Sequence, residues 1–216
     1  MALPQVLERI QAAARRSGRD PGAIRLVAVT KGHSPQEIRD KVLQYGNFPL
    51  GESRIQEALP KMAALEGCEW HLIGPLQRNK VKFCSGFSLI HSLDSLRLAE
   101  YMSKKAGEMG HPFRVLLEVN LSLEPQKHGF REGELAEALL RIREMEGLEV
   151  GGLMTIAPYT LEPQTVRPIF AQLSRLADRF SLPERSMGMS NDFEVAVEEG
   201  ATLVRVGRAL FEGVNA

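Results

Sequence analysis

The regular alternation of two kinds of segment constrains the fold of this chain more than any other feature of its sequence. Short apolar runs rich in β-branched residues alternate with segments of helical periodicity from one end to the other. Such strict alternation predicts parallel strands joined by right-handed helical crossovers. The predicted strands span residues 25–30, 48–51, 70–74, 89–92, 115–120, 150–156, 185–189 and 203–206.

The helical segments between these strands complete eight repeating units. They are clearest at 95–109, 132–144 and 164–180, and an additional helix over 4–16 precedes the first strand. Eight strands with seven intervening helices, and no glycine-rich phosphate fingerprint after the first strand, predict an α/β fold of the (β/α)₈ TIM-barrel type. We expect residues 1–216 to form this barrel as a single domain. A doubly wound open sheet is the alternative.

The charge balance and the apolar runs exclude several classes of protein. Lys plus Arg (27) equals Asp plus Glu (27), so no net charge attracts nucleic acid or an anionic membrane. No apolar run approaches the ~20 residues that cross a bilayer, and the N-terminal segment is a charged amphipathic helix rather than a signal peptide. Cys68 and Cys84 show no metal-ligand spacing and are expected to be free thiols. These features predict a cytoplasmic protein.

Polar side chains follow the predicted strands where each strand ends. Because the carboxyl ends of all strands in such a barrel form one face, these side chains should lie around one rim. A lysine, two histidines, several small polar residues and two arginines are typical of an anion-binding, carbonyl-reactive site, and no metal-ligand pattern accompanies them. The residues are Lys31, Ser53, His71, His91, Asn120, Met154, Thr155, Ser190, Asn191, Arg205 and Arg208.

Lys31 is the most informative single residue, because it follows an apolar strand directly. Partial desolvation and neighbouring cations would free its amine to attack an aldehyde. The alternative is a strand-end lysine whose side chain simply extends into solvent.

Two segments near the C-terminus predict a phosphate site. In residues 186–192 a strand passes into a helix whose start carries Ser190, so backbone amides and a hydroxyl would converge there. In residues 205–208, Gly207 would let the backbone approach an anion closely. The alternative for Ser190 is helix capping alone.

Arg205 and His71 each allow two interpretations. An arginine inside an apolar strand is costly unless it is paired, so its partner is either a buried carboxylate or a ligand atom. His71 is either a general base or a hydrogen-bonded structural residue. The short basic run at 78–82 is most simply a solvated helix face.

Taken together, these motifs resemble the pyridoxal phosphate homeostasis protein family. The matching stretches occur in the family's order over nearly the whole chain, at 26–31, 51–57, 70–80, 118–120, 152–156, 186–192 and 204–207. The resemblance implies a fold-type III barrel similar to the N-terminal domain of alanine racemase, with pyridoxal 5′-phosphate as the cofactor. The residues expected to bind it are Lys31, as a Schiff base, with Ser53, His71, Met154, Ser190, Arg205, Gly207 and Arg208.

The resemblance also assigns roles and shows departures. Ser190, Gly207 and the Arg208 backbone would contact the phosphate. Arg205 would face the pyridine nitrogen, which weakens the cofactor as an electron sink. The family usually has Asn-Tyr where this chain has Ser53 and Arg54, and commonly Thr where it has Arg208. The loop at 125–130 also differs slightly.

The resemblance favours a carrier or regulator of intracellular pyridoxal phosphate that influences amino-acid and keto-acid balance. Racemases of this fold use a second acid–base group from an additional β domain, and this sequence stops at Ala216, just after the last predicted strand. We therefore expect a protein without catalytic activity of its own, or with weak residual chemistry. The alternative is a minimal amino-acid racemase or another Schiff-base enzyme. Pyridoxal-phosphate-dependent apoenzymes are candidate partners, and the chain is expected to be a monomer or weak dimer.

Overall fold

Eight parallel strands close into a barrel in the computed structural model, which describes residues 2–122, 124 and 128–211. The strands are β1 (Arg25–Val29), β2 (Leu50–Glu52), β3 (Trp70–Leu72), β4 (Leu89–Leu93), β5 (Phe113–Glu118), β6 (Leu148–Met154), β7 (Glu184–Ser186) and β8 (Leu203–Val206). Each strand pairs with the next, and β8 closes on β1 with Val27 opposite Arg205. The closed order confirms the predicted barrel and excludes the open sheet.

Helices follow the strands and cover the outside of the barrel. They are α1 (Leu3–Arg16), α2 (Pro35–Lys41), α3 (Ile55–Ala64), α4 (Leu96–Met109), α5 (Glu132–Arg143), α6 (Arg167–Arg179), α7 (Phe193–Glu198) and α8 (Arg208–Phe211). The additional helix α1 is joined to α7 by the ion pairs Arg9–Glu194 and Arg16–Glu198.

The capping residues explain where individual helices begin. Ser34 accepts a hydrogen bond from the Glu37 amide at 3.2 Å, and the Ser34 amide donates to the Glu37 carboxylate at 2.8 Å. This reciprocal pair satisfies two amides at the start of α2, immediately after the loop that carries Lys31. The capping pair thereby fixes the end of this loop that enters α2.

Two apolar clusters hold the fold together. The smaller fills the interior of the barrel, and a larger one lies between the strands and the surrounding helices. The interior cluster consists of Val27, Leu89, Leu116, Met154 and Leu203, with Ile73 packed against it. Because side chains alternate along a strand, a residue two positions beyond one of these faces the interior as well, nearer the carboxyl end.

The prediction of an α-helix between the third and fourth strands is wrong, because the helix there is a 3₁₀ helix. The basic run lies in a 3₁₀ helix, Arg78–Phe83, where backbone amides bond three residues back, as from Lys80 to Gln77 at 2.9 Å. The fifth and sixth strands also end two residues earlier than predicted. Beyond β5 the Asn120 amide bonds to the carbonyl of Phe130 at 3.0 Å instead of to a neighbouring strand.

No helix in the described part of the chain is long and apolar enough to cross a membrane. Both cysteines are free thiols, and burial raises the pKa of the Cys84 thiol to about 12. A thiol with so high a pKa carries little thiolate and is a poor nucleophile.

Candidate functional site

The carboxyl ends of β8 and β1 meet directly at the mouth of the barrel. A Cβ on Gly207 would lie 3.1 Å from the Cβ of Val29 and 3.2 Å from its carbonyl oxygen. Glycine therefore lets the segment after β8 pack tightly against the end of β1, two residues before Lys31. The paired strands bring Lys31 and the predicted phosphate segment to one side of the mouth.

Lys31 lies in an exposed turn after β1. Among the described residues, no hydrogen bond or ion pair engages its amine. The expected partial desolvation is not seen, because Lys31 stands two residues beyond the strand rather than within the packed wall. The amine is accessible to a small molecule at the mouth.

A buried polar cluster fixes the backbone that leads into Lys31. The Lys61 amine donates to the Thr30 carbonyl at 2.7 Å and to the Glu52 carboxylate at 2.6 Å. The same carboxylate oxygen accepts the Thr30 hydroxyl at 2.6 Å. Glu52 and Thr30 are fully buried, so these bonds are shielded from water and hold the end of β1 against β2 and α3.

Lys61 was not predicted from the sequence, although the spacing of apolar residues in α3 indicates that it is buried. Ile55, Ala58 and Lys61 are spaced three residues apart and are the buried residues of α3. A lysine on the apolar face of a helix needs a buried partner. The strand-end Glu52, nine residues before it, is that partner.

Two backbone amides converge on the hydroxyl of Ser190. The amides of Gly207 and Ala209 each lie 3.4 Å from the Ser190 oxygen. Both contacts are long for hydrogen bonds, so the two donors are poorly satisfied by the hydroxyl. Two amides and a hydroxyl around one point make a small anion-binding cradle. The exposed Arg208 lies beside it.

Arg205 is buried below the mouth, and its partners are neutral. Its guanidinium donates to the Ser186 hydroxyl and, at 2.9 Å, to the Thr155 carbonyl. Burial lowers the pKa of Arg205 to about 10, while the nearby charges of Glu118 and Asp192 raise it. Its hydrogen bonds go to neutral oxygens, and the two carboxylates balance its charge from farther away.

A hydrogen-bonded chain continues from Arg205 through the interior. Nδ1 of His91 lies 2.8 Å from the Ser186 hydroxyl, and Nε2 of His91 lies 3.0 Å from Nδ1 of His71. Nε2 of His71 lies 2.9 Å from a Glu69 oxygen. Both ring nitrogens of His71 therefore have hydrogen-bond partners, as expected of a structural histidine. The sequence did not reveal that His91 is one of these partners.

The remaining predicted residues lie around or beneath the mouth. Met154 belongs to the interior cluster and is 1% exposed, so it forms part of the floor. Ser53 is half-buried, and its backbone packs directly against Gly74. A Cβ on Gly74 would lie only 2.3 Å from the Ser53 carbonyl oxygen, so only glycine fits there. Asn120 donates to the Glu124 carbonyl at 3.0 Å, and Asn191 is exposed. Residues 125–127 of the loop that departs from the resemblance lie outside the described residues.

No group of three or more potential metal ligands occurs among the described His, Cys, Asp and Glu residues. The functional groups at the mouth are an accessible amine, an anion cradle and a buried guanidinium.

Known proteins resemble this chain over nearly its whole length. The family model for the N-terminal domain of alanine racemase matches residues 2–214. The chain is 49% identical to the pyridoxal phosphate homeostasis protein of Deinococcus radiodurans, over 98% of this chain and 100% of that one. It is 44% identical to the protein of the same name from Aquifex aeolicus, over 97% and 95% of the two chains.

Solved structures show the same architecture. PipY of Synechococcus elongatus PCC7942 with PLP bound superposes with a TM-score of 0.79 at 36% identity, over 95% of this chain and 99% of that chain. An alanine racemase from Clostridium difficile superposes with a TM-score of 0.71 at 14% identity, over 94% of this chain and 55% of that one. At that identity the second likeness concerns the fold alone.

Proposed function

This chain belongs to the pyridoxal phosphate homeostasis protein family, and on that premise we propose that it binds pyridoxal 5′-phosphate at the mouth of its barrel. We propose further that it carries or regulates the cofactor inside the cell, and so influences amino-acid and keto-acid balance. Residues 1–216 would serve this function as one domain.

The observation that carries the proposal is the adjacency of an accessible amine and an anion cradle. Lys31 follows β1, the cradle of Ser190, Gly207 and Ala209 follows β7 and β8, and Gly207 packs on Val29 of β1. A phosphate ester with an aldehyde at its other end matches this pair of groups. Bound there, pyridoxal phosphate would supply an aldehyde that condenses reversibly with amines.

The residues present fit the cofactor. The Gly207 and Ala209 amides, poorly satisfied by the Ser190 hydroxyl, would donate to phosphoryl oxygens, and Arg208 would add positive charge beside them. The Lys31 amine would hold the aldehyde carbon, and Arg205 would face the ring nitrogen. Ser53 would border the ring, while His71 and Met154 support the floor below it.

A carrier is favoured over an enzyme by the setting of Lys31. Its amine is exposed at an open mouth, and large rate enhancements need water to be excluded around paired acid–base groups. Arg205, a guanidinium held in place by Ser186 and Thr155, would also keep the ring nitrogen unprotonated. We therefore propose binding and release of the cofactor as the function, with cofactor-dependent apoenzymes as recipients.

Borohydride reduction followed by peptide mass spectrometry tests the site and the ligand together. After incubation with pyridoxal phosphate, we expect one reduced adduct, on the peptide that contains Lys31, and none in Lys31→Ala. Lys104→Ala is the matched control, because Lys104 is an exposed lysine on α4, and its adduct should equal that of the wild type. An adduct spread over several lysines, or one unaffected by Lys31→Ala, would contradict the proposal.

A turnover assay tests the carrier against the racemase alternative. Loaded protein incubated with L-alanine in deuterium oxide should show negligible deuterium at Cα and negligible D-alanine. Rapid exchange that Lys31→Ala abolishes would establish an enzyme instead.

A further inference from the structure

A cavity opens at the barrel mouth on the half away from Lys31 and the Ser190 cradle. It has a volume of about 240 Å³ and is bordered by the segments that follow β3, β5 and β6. The groups proposed to hold the aldehyde and the phosphate follow β1, β7 and β8 instead. The walls are mainly apolar, formed by Ile73, Pro75, Val119 and Ile156, with Glu118, Asn120 and His128 completing the lining.

Glu118 is the residue of this cavity that needs an explanation. It lies two positions after Leu116 of the interior cluster on β5, so it faces the inside of the barrel at its carboxyl end. It is 9% exposed, and among the described residues no hydrogen bond or ion pair reaches its carboxyl group. Its charge is compensated only from a distance, chiefly by Arg205, and a cationic ligand in direct contact would stabilise the carboxylate further.

The charges around Glu118 favour a cation over an anion. Burial raises the pKa of Glu118, and the nearby Asp94 raises it further, while Arg205 and His128 lower it. Arg205 already donates to Ser186 and Thr155, and His128 lies 3.7 Å from the Asp94 carboxylate. A carboxylate on the ligand would meet two acidic groups here, whereas an ammonium would meet complementary charge.

We propose that this cavity binds an aliphatic primary amine, with its ammonium on the Glu118 carboxylate and its carbon chain against Ile73, Val119 and Ile156. The inference rests on the proposed function for its meaning, since amines are the compounds with which the carried aldehyde condenses. Simple amines, which lack an adjacent carboxylate, would then be the class of compound that binds beside the cofactor at the mouth.

Calorimetric titration of the full chain without pyridoxal phosphate tests the cavity by itself. We expect 3-methylbutylamine to bind about tenfold or more tightly than 3-methylbutan-1-ol, because only the amine makes a charge-assisted bond to Glu118. Leucine, which adds a carboxylate, should bind more weakly than the amine. Glu118→Gln should abolish the preference for the amine over the alcohol. Glu149→Gln removes an exposed carboxylate elsewhere on the barrel and should leave that preference unchanged.

Equal affinity for the amine and the alcohol would overturn the proposal. Leucine binding more tightly than the amine would also overturn it, and so would a Glu118→Gln variant that binds the amine as tightly as the wild type. A direct readout on the wild type removes any dependence on how the variant folds. The ¹³C resonance of the Glu118 carboxyl should titrate at lower pH when 3-methylbutylamine saturates the protein. An unshifted titration would refute an ammonium at this group.

The same titration on protein reduced at Lys31 with bound cofactor separates the two proposals. We expect the amine still to bind, since the cavity lies on the other half of the mouth from Lys31 and from the cradle that would hold the phosphate. Loss of binding in the reduced protein would show that the cofactor fills the cavity and would overturn this inference, with the Lys31 adduct intact. Amine binding without any Lys31 adduct would contradict the proposed function only.

Discussion

Nε2 of His91 lies 3.0 Å from Nδ1 of His71 in the interior of the barrel, and this contact joins the two ends of a polar chain. Arg205 only donates, so the Ser186 hydroxyl accepts from it and keeps its own proton available for Nδ1 of His91, which accepts it when His91 is the Nε2–H tautomer. His91 must then carry its proton on Nε2 and donate it to His71, which donates in turn to Glu69. This order of donors places the proton of the neutral His91 imidazole on Nε2.

Stability should therefore fall in mildly acidic solution because of His91. Burial lowers its pKa well below the ordinary value, and positive charge on His71, when that ring is protonated, and on Arg205 lowers it further. Its neutral form is favoured in the folded protein, so its contribution is present above the unfolded-state pKa of about 6.5 and is lost as pH falls toward the folded value. Below about pH 6.5 this group should reduce the free energy of unfolding by up to about 1.4 kcal/mol per pH unit.

Urea unfolding at pH 7.5, 6.5 and 5.5 measures this dependence. His91→Gln should be less stable at every pH but should show a flatter decline between the two lower values. His111→Gln, which alters a histidine at the edge of Phe113, should retain the wild-type slope. A slope that His91→Gln leaves unchanged would assign the acid sensitivity to other groups.

Lys61 should be required for stability because its loss leaves a buried charge. Its side chain is 10% exposed and that of Glu52 is 0% exposed, at a separation of 2.6 Å. Removing one partner of such a pair typically costs about 3–5 kcal/mol, since the other charge stays buried without compensation. We expect Lys61→Met to lose this much in denaturant unfolding. The double variant Lys61→Met/Glu52→Gln should recover part of it, and a double variant no more stable than Lys61→Met would rule out the uncompensated carboxylate as the cause.

The sequence predicted the barrel because its evidence is local. Apolar periodicity and strand ends are visible within short windows of sequence, and they predict that Lys31, Ser190 and Gly207 lie at the mouth. The polar chain was not predictable in this way. His91 and Ser186 are 95 positions apart, and only the closure of the barrel brings them within hydrogen-bonding distance.

The role of Glu118 escaped prediction for a related reason. In the sequence it is one carboxylate at the end of an apolar strand, and a surface position is the ordinary interpretation. Its burial depends on the neighbouring strands and on the loop that returns beside β5, where the Phe130 amide bonds to the Glu118 carbonyl at 2.8 Å. Residues on separate segments of the chain therefore decide its environment.

Ser190 should contribute to binding of the phosphate and not of the ring. If the cradle of Ser190, Gly207 and Ala209 holds the phosphoryl group, Ser190→Ala removes one hydrogen bond to a charged group. Such a bond is typically worth about 1.5–3 kcal/mol, so the Kd for pyridoxal phosphate should rise about tenfold or more. Pyridoxal, which lacks the phosphoryl group, is the matched ligand control and should bind both proteins equally in a fluorescence titration. An equal loss for the two ligands would place the serine elsewhere in the site.

Gly207 should tolerate no side chain, because the contact between β8 and β1 depends on its absence. An added Cβ would press on Val29 at 3.1 Å from a side-chain atom and 3.2 Å from the carbonyl oxygen, so the segment after β8 or the end of β1 must shift. We expect Gly207→Ala to lower the free energy of unfolding by about 1–3 kcal/mol, the usual cost of overpacking. Because the same segment carries a cradle amide, binding of pyridoxal phosphate should weaken as well. Gly107→Ala is the control, since a Cβ there meets nothing within 4 Å in the last turn of α4 and should stabilise the helix by about 0.5–1 kcal/mol. If Gly207→Ala bound the cofactor as tightly as Gly107→Ala, the phosphate would not lie against this segment.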